Sequence, residues 1–181
     1  MFTEAAEKMI NYEALVHPAM ITHLNPKRVA VLGGKQHGQT SAALREVLKH
    51  VSVQEAFILL GNENETHDND LEAGAAMTSV LVMKDQECSL GDHALFDVII
   101  DPNPVKVVTD FSSHFNCLND NGVLALNIDT TITNKDSALG VGKLEVLGGV
   151  IDALEEVGYE SLHLYEDESS AFGIQGRMVQ Q

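Results

Sequence analysis

Tryptophan is absent from the 181 residues, cysteine occurs twice and proline four times. Two cysteines in a chain this long exclude a disulfide scaffold, and Cys88 and Cys117 stand in unlike surroundings, so no bridge between them is expected. That usage fits a reducing compartment, either a cytoplasm or an organelle interior reached after processing of a longer precursor. No apolar run reaches the roughly 18 residues that span a bilayer. Acidic residues, Glu4 and Glu7, stand where a signal or transit peptide carries basic ones. No transmembrane segment is therefore expected. Basic residues are also scarce, 11 Lys/Arg against 27 Asp/Glu, for a formal charge of −16. Aromatic residues make up 5% and do not alternate with basic ones, so both the stacking platform and the positive field of a nucleic-acid binder are missing.

The shortage of positive charge is local. Residues 1–59 hold six Lys/Arg and five Asp/Glu, whereas residues 60–181 hold five and 22, a balance of −17. Such a half repels phosphates and anionic lipid and suits a basic protein surface or a polyamine. The hydrophobic share of 44% is that of an ordinary globular chain, and at this length one domain, residues 1–181, can bury a core of its own.

Short apolar runs alternate with helical spacing. Arg28–Leu32 ends in Gly33-Gly34 and reads as a buried strand entering a tight turn. A helix follows over 41–48 with Ser41 as its cap. Further strands are expected at 56–60, 80–83, 97–101 and 123–127, the last introduced by the turn Asn119-Asp120-Asn121-Gly122. A weaker helical pattern covers 107–118. Leu144, Leu147, Ile151, Leu154 and Val157 mark one helix face that Gly158 stops, and 161–166 and 174–179 are closing strands. Nearly all-apolar strands alternating with helices imply a parallel sheet covered on both faces.

Several chemistries lack a foothold. The eight histidines include no pair at the i, i+4 spacing of a helical zinc site, so no metal is expected. Cys117 lies in an apolar segment and reads as core, and no G-x-S-x-G elbow occurs. The acidic stretch 61–72 reads as an exposed loop, without the offsets of a calcium loop.

The run Asn25-Pro26-Lys27-Arg28-Val29, Gly33-Gly34 and Leu44-Arg45-Glu46-Val47-Leu48-Lys49-His50 closely resembles spermidine synthase and the related polyamine aminopropyltransferases. Upstream, Glu13-Ala14-Leu15-Val16-His17-Pro18 resembles the family's Y-Q-E-M-L-x-H-x-P segment. Downstream, Phe96-Asp97-Val98-Ile99-Ile100, Gly122-Val123-Leu124 and the pair Gly173 and Gly176 resemble its F-D-V-I-I, G-G-V-L and terminal G-x-x-G. The resemblance implies an α/β fold, the Rossmann-like S-adenosylmethionine-dependent methyltransferase fold. That is a mostly parallel seven-stranded sheet with helices on both faces and an antiparallel last strand. The family's N-terminal β-domain is expected to be missing, because the sequence starts about where the catalytic domain would begin.

The likeness breaks where the family's ligands bind. Its G-G-G-D-G-G loop becomes Gly33-Gly34 followed by a longer stretch, and Lys35 or Gln36 replaces the aspartate that faces the cationic aminopropyl group. Leu60 falls on the glutamate that binds the ribose hydroxyls and Asn62 on the aspartate of V-E-I-D. Leucine accepts no hydrogen bond, and an unpaired buried hydroxyl costs about 1–3 kcal/mol. The family's D-S-S-D-P supplies two carboxylates to bind and deprotonate the diamine. Here it becomes Asp101-Pro102-Asn103-Pro104, which keeps one, and Pro102 is expected to stiffen this loop. The Tyr-Gln pair bordering the amine pocket becomes Asn11-Tyr12, and the P-T-Y-P-S-G wall becomes Glu168-Ser169-Ser170-Ala171-Phe172-Gly173. Asp85 falls where the family's aspartate contacts adenine.

The expectation is thus a catalytically inactive relative. Asp101 is a catalytic remnant, Gly33, Gly34 and Asp85 are a vestigial cofactor site, and no bound cofactor is expected. Its role would be that of a structural or binding subunit, meeting a protein partner through the acidic residues 60–181. The alternatives are an active aminopropyl- or methyltransferase with a rearranged pocket, and a nucleotide or polyamine sensor.

Overall fold

A computed structural model describes residues 12–33, 37–60, 79–84, 95–105, 110–128, 141–166 and 172–178. Among these residues four helices, α1 (Tyr12–Thr22), α2 (His37–Val47), α3 (Ser112–Asn116) and α4 (Val141–Val157), accompany seven strands. The strands are β1 (Arg28–Leu32), β2 (Glu55–Leu60), β3 (Ser79–Lys84), β4 (Phe96–Val105), β5 (Leu118–Ile128), β6 (Tyr159–Glu166) and β7 (Phe172–Met178). They form one sheet in the order β3-β2-β1-β4-β5-β7-β6. β1 to β5 pair in parallel, and β7 runs antiparallel to both β5 and β6. The expected α/β methyltransferase-type sheet is present.

Alternation along the strands builds two cores. Val29, Val31, Ala56, Ile58, Val98, Ile100, Val123 and Ala125 pack against Leu15, Val16, Ala19 and Met20 of α1 and Ala43, Leu44 and Val47 of α2. Ala30, Leu32, Phe57, Leu59, Ile99, Leu124 and Leu126 face the other way and meet Val150 and Leu154 of α4, with Phe111 beside α3. Successive strand side chains point to opposite faces, so four apolar residues in a row, Val29 to Leu32 of β1, serve both cores at once.

Several local expectations need correction. α2 begins at His37, so Ser41 lies inside the helix and does not cap it. Of the helical pattern over 107–118, the described residues 110–118 hold only the five-residue helix α3, because Leu118 already pairs with Phe96. The turn 119–122 does not precede β5 but interrupts it: Phe96 pairs with Leu118 and Val98 with Val123, leaving four residues of β5 opposite Asp97. Asn121 takes up the turn with a φ of 62°. Gly122 is required on steric grounds, since a Cβ there would lie 2.8 Å from the Asn119 carbonyl and 2.9 Å from the Leu118 side chain. At the end of α4, Gly158 adopts a φ of 111°, as its reading as a helix stop requires.

A second helix-packing feature escaped the sequence pattern. α1 carries Pro18 inside it, a residue that disrupts an isolated helix by about 3 kcal/mol, yet its buried Leu15, Val16, Ala19 and Met20 hold it on the sheet. The connection from α1 into β1 is tied down by Asp97. Its carboxylate accepts the amides of Lys27 at 2.7 Å and Arg28 at 3.0 Å, and Asn119 Nδ2 at 2.8 Å. Burial alone would raise the Asp97 pKa. The amides of Arg28 and Lys27, Asn119 and the nearby His23 outweigh it and hold the carboxyl below its ordinary value.

Candidate functional site

The strand order reverses between β1 and β4, since β2 and β3 lie on one side of β1 while β5, β7 and β6 lie beyond β4. In open α/β sheets the ligand crevice lies at such a switch point, beyond the carboxyl ends of the strands. Gly33 and Asp101 are both there. Gly33 follows β1 and donates its amide to the Leu59 carbonyl at 2.7 Å, which ties the start of the glycine turn to the end of β2. Leu60, the residue expected at the ribose position, is the last of β2 and half-buried.

β4 runs further than its apolar run suggests. It continues to Val105 through a bulge, with Asp101 paired to Leu126 and Pro104 to Asn127, so that Pro102 and Asn103 are extra residues on β4. Pro102 therefore does not stiffen a loop; it is buried in a bulged strand, where a missing N–H is tolerated. Buried Asn127 holds the bulge from β5 by donating Nδ2 to the Pro102 carbonyl at 3.2 Å.

Asn103 turns back on the remaining carboxylate. Its backbone N–H and its Nδ2 both donate to Asp101 Oδ1, each at 2.9 Å, in an Asx-type turn. The same Nδ2 lies 3.4 Å from the Gly33 carbonyl, so one side chain links the end of β4 to the end of β1 across the switch point. From the helix side, buried Thr40 in the first turn of α2 donates Oγ1 to the Leu32 carbonyl at 3.3 Å. The carbonyls of Leu32, Gly33, Leu59 and Pro102 at this rim thus all accept hydrogen bonds from the chain itself.

Of the residues singled out by sequence, the structure brings Gly33, Leu60 and Asp101 to this rim. Gly34, Lys35, Gln36, Asn62, Asp85 and Asn11 lie outside the described residues, as do residues 168–171 of the expected pocket wall. Tyr12 opens α1 and packs against the core on the α1 and α2 face, where burial raises its pKa. Three polar residues at the rim went unrecognised in the sequence: Thr40, Asn103 and Asn127. A signal existed for two of them. Asp-x-Asn is an Asx-turn pattern, and Asn127 is a polar residue within an otherwise apolar strand end.

Residues 8–60 match the model of the spermine/spermidine synthase domain family. The polyamine aminopropyltransferase of a Hydrogenobaculum species is 28% identical over 175 residues, which cover 92% of this chain and 52% of that protein. That of Pyrococcus abyssi is 30% identical over 144 residues, 68% of this chain and 49% of that one. The chain belongs to the spermine/spermidine synthase family. It spans about half the length of these family members. The crystal structure of spermidine synthase from Thermotoga maritima superimposes with a TM-score of 0.59 at 22% identity, over 98% of this chain and 61% of that one. At that identity the superposition speaks for the fold.

Among the described residues no helix is long and apolar enough to cross a membrane. Cys117 is buried in the core beside α3 and α4 and forms no disulfide among the described residues, as its apolar setting suggests, and Cys88 lies outside the described residues. The acidic stretch 61–72 also lies outside them.

Proposed function

We propose that this chain is a catalytically silent member of the spermine/spermidine synthase family that serves as a binding or structural subunit of a larger protein assembly. The observation that carries the reading is Asn103. It occupies the stretch where the family places its second catalytic carboxylate, it holds the remaining Asp101 carboxylate, and it spans the switch point to Gly33. A general base must be free to reach the proton it takes, and such catalysis is worth about 10²- to 10⁴-fold. Leu60 supports the same reading, because a ribose placed at the end of β2 would meet a side chain that accepts nothing. The balance of −17 over residues 60–181 is the surface property that supports docking onto a basic partner.

The direct test is aminopropyl transfer from decarboxylated S-adenosylmethionine to putrescine, run with protein in excess over substrate. No product above a heat-killed control is expected. Turnover would select the alternative, an active transferase with a rearranged pocket, for which half-buried Asp101 at the bulge of β4 is the supporting residue. Calorimetric titration with 5′-methylthioadenosine separates a third reading. Tight binding without turnover would mark a nucleotide sensor, and no binding is expected. For the docking role, purification from the native source at low salt should recover a complex that a high-salt wash dissociates. The Debye length falls from about 10 Å at 0.1 M to about 3 Å at 1 M. Recovery only as a free chain at low salt would refute it.

A further inference from the structure

Thirty-three residues separate His17 from His50, yet folding brings their rings together, with His17 Nδ1 2.7 Å from His50 Nε2. This contact lies on the α1 and α2 face. α2 starts beside the glycine turn and ends at Val47, so the length of an 11-residue helix, about 16 Å, separates the two places. Around the histidine pair stand Glu13 from the first turn of α1 and Glu46 from the last turn of α2. One ligand atom from each of Glu13, His17 and Glu46 lies within 4.8 Å of the other two.

We propose that Glu13, His17 and Glu46 form a divalent transition-metal site, suited to Zn²⁺, that clasps α1 to the end of α2. His17 Nε2 stands 3.4 Å from Glu46 Oε2. Two ligands bound to one tetrahedral zinc at about 2.0–2.1 Å lie roughly 3.4 Å apart, so this pair is already at coordination spacing. Glu13 is the exposed ligand and closes on the ion from outside, with water completing the set. One imidazole and two carboxylates is a donor set that zinc accepts.

His50 supplies what a ligating histidine needs behind it. A metal-bound imidazole donates its other ring N–H to an acceptor, which fixes the tautomer. His17 Nδ1 has such a partner in His50 Nε2, 2.7 Å away. A cation already stands in this place. The Lys49 ammonium lies 2.6 Å from Glu46 Oε2 and 3.6 Å from Glu13 Oε1, bridging the two carboxylates beside the negative end of α2. Lys49 is half-exposed on a flexible stem and can swing away, so it competes with the ion and does not block it. The spacing rule for helical zinc sites overlooked the cluster because it counts histidine pairs, whereas here Glu13 and His17 of α1 are joined by Glu46 of α2.

The test is equilibrium dialysis of the full chain against Zn²⁺ alone near neutral pH, followed by Co²⁺ substitution and visible absorption. The wild-type chain should take up Zn²⁺ saturably, and Co²⁺ should give the absorption of a low-symmetry nitrogen and oxygen site. His17→Ala and Glu46→Gln should abolish this uptake, and His50→Ala should weaken it by about 10- to 100-fold, the usual effect of losing a supporting partner. Lys49→Met should tighten it, a gain that misfolding cannot mimic. No saturable uptake by either the wild-type chain or Lys49→Met would overturn the proposal. Uptake that His17→Ala and Glu46→Gln leave unchanged would also overturn it, by placing the ion elsewhere.

Discussion

Replacing Asn103 by Asp puts back a second carboxylate in the stretch where the family carries one, and the structure says what that change costs. The Asn103 Nδ2 donates to Asp101 Oδ1 at 2.9 Å and lies 3.4 Å from the Gly33 carbonyl. Asn103→Ala removes both contacts. A hydrogen bond to a charged group is worth about 1.5–3 kcal/mol, and the half-exposed setting places this loss near the lower end. Asn103→Asp removes them too and sets a like charge against Asp101. Two unit charges about 4 Å apart near a protein surface interact by about 4 kcal/mol before the side chains turn away. Relaxation and solvent leave an expected total of about 2–4 kcal/mol at pH 7. For a chain of this size that lowers the melting temperature by about 4–16 °C. The sign with pH is fixed by the crowding. Two adjacent carboxylates raise the folded-state pKa of the pair above its unfolded value. The variant therefore suffers most above that raised pKa and recovers toward Asn103→Ala as pH falls through it. Thermal unfolding followed by circular dichroism at pH 7 and pH 4.5 reads both effects. If Asn103→Asp melts with the wild-type chain at pH 7, or if its deficit does not shrink at pH 4.5, Asn103 does not hold Asp101 and the argument from the latch fails.

Asp97→Asn turns an amide N–H₂ toward the backbone donors of Lys27 and Arg28, and a loss of about 2–3 kcal/mol is expected in urea unfolding at pH 7. Because the Asp97 carboxyl is held below its ordinary value, its contribution is present above the usual carboxylate range and disappears as pH falls through the folded value. Wild-type and variant stabilities should accordingly converge in acid, and parallel curves would contradict this. Gly122→Ala forces a Cβ to 2.8 Å from the Asn119 carbonyl and should destabilise by about 1–3 kcal/mol, whereas Gly148→Ala, inside α4 with nothing within 4 Å, should stabilise by about 0.5–1 kcal/mol. Melting temperatures moving in opposite directions confirm the pair; a common direction counts against it.

Strands were legible because burial on both faces demands unbroken apolar runs, and those runs have few alternative readings. Their ends were not. Asp101-Pro102-Asn103-Pro104 has the composition of a loop, and only pairing with Leu126 and Asn127 makes it a bulged strand. The composition of residues 119–122 is that of a turn, but Leu118 pairing with Phe96 on the far side puts that turn inside β5. α1 was hidden by Pro18, whose local penalty is overcome by burial of Leu15, Val16, Ala19 and Met20, a tertiary effect that no local pattern reports. At the rim, Asp101 and Gly33 were legible through the resemblance. The closing role of Asn103 was not, because it depends on β1 and β4 lying side by side.

The changes that set this chain apart from the family's motif fall where the fold can absorb them. Leu60 is the last residue of β2, Gly33 follows β1, and Asp101 to Asn103 form a bulge near the end of β4. The residues that hold the sheet sit just before them: Val29 to Leu32, Ala56 to Leu59, and Val98 to Ile100 are all buried. A glutamate exchanged for leucine at position 60, or a carboxylate lost from the stretch 101–104, leaves those side chains in both cores untouched. The sheet can therefore outlast its chemistry without losing stability. The converse also holds: retained sheet order and retained apolar runs carry no information about turnover, because they answer to burial alone. Activity in this family member has to be argued from the rim, where Asn103 either holds Asp101 or does not, and the pH dependence of Asn103→Asp reads that contact without presuming any substrate.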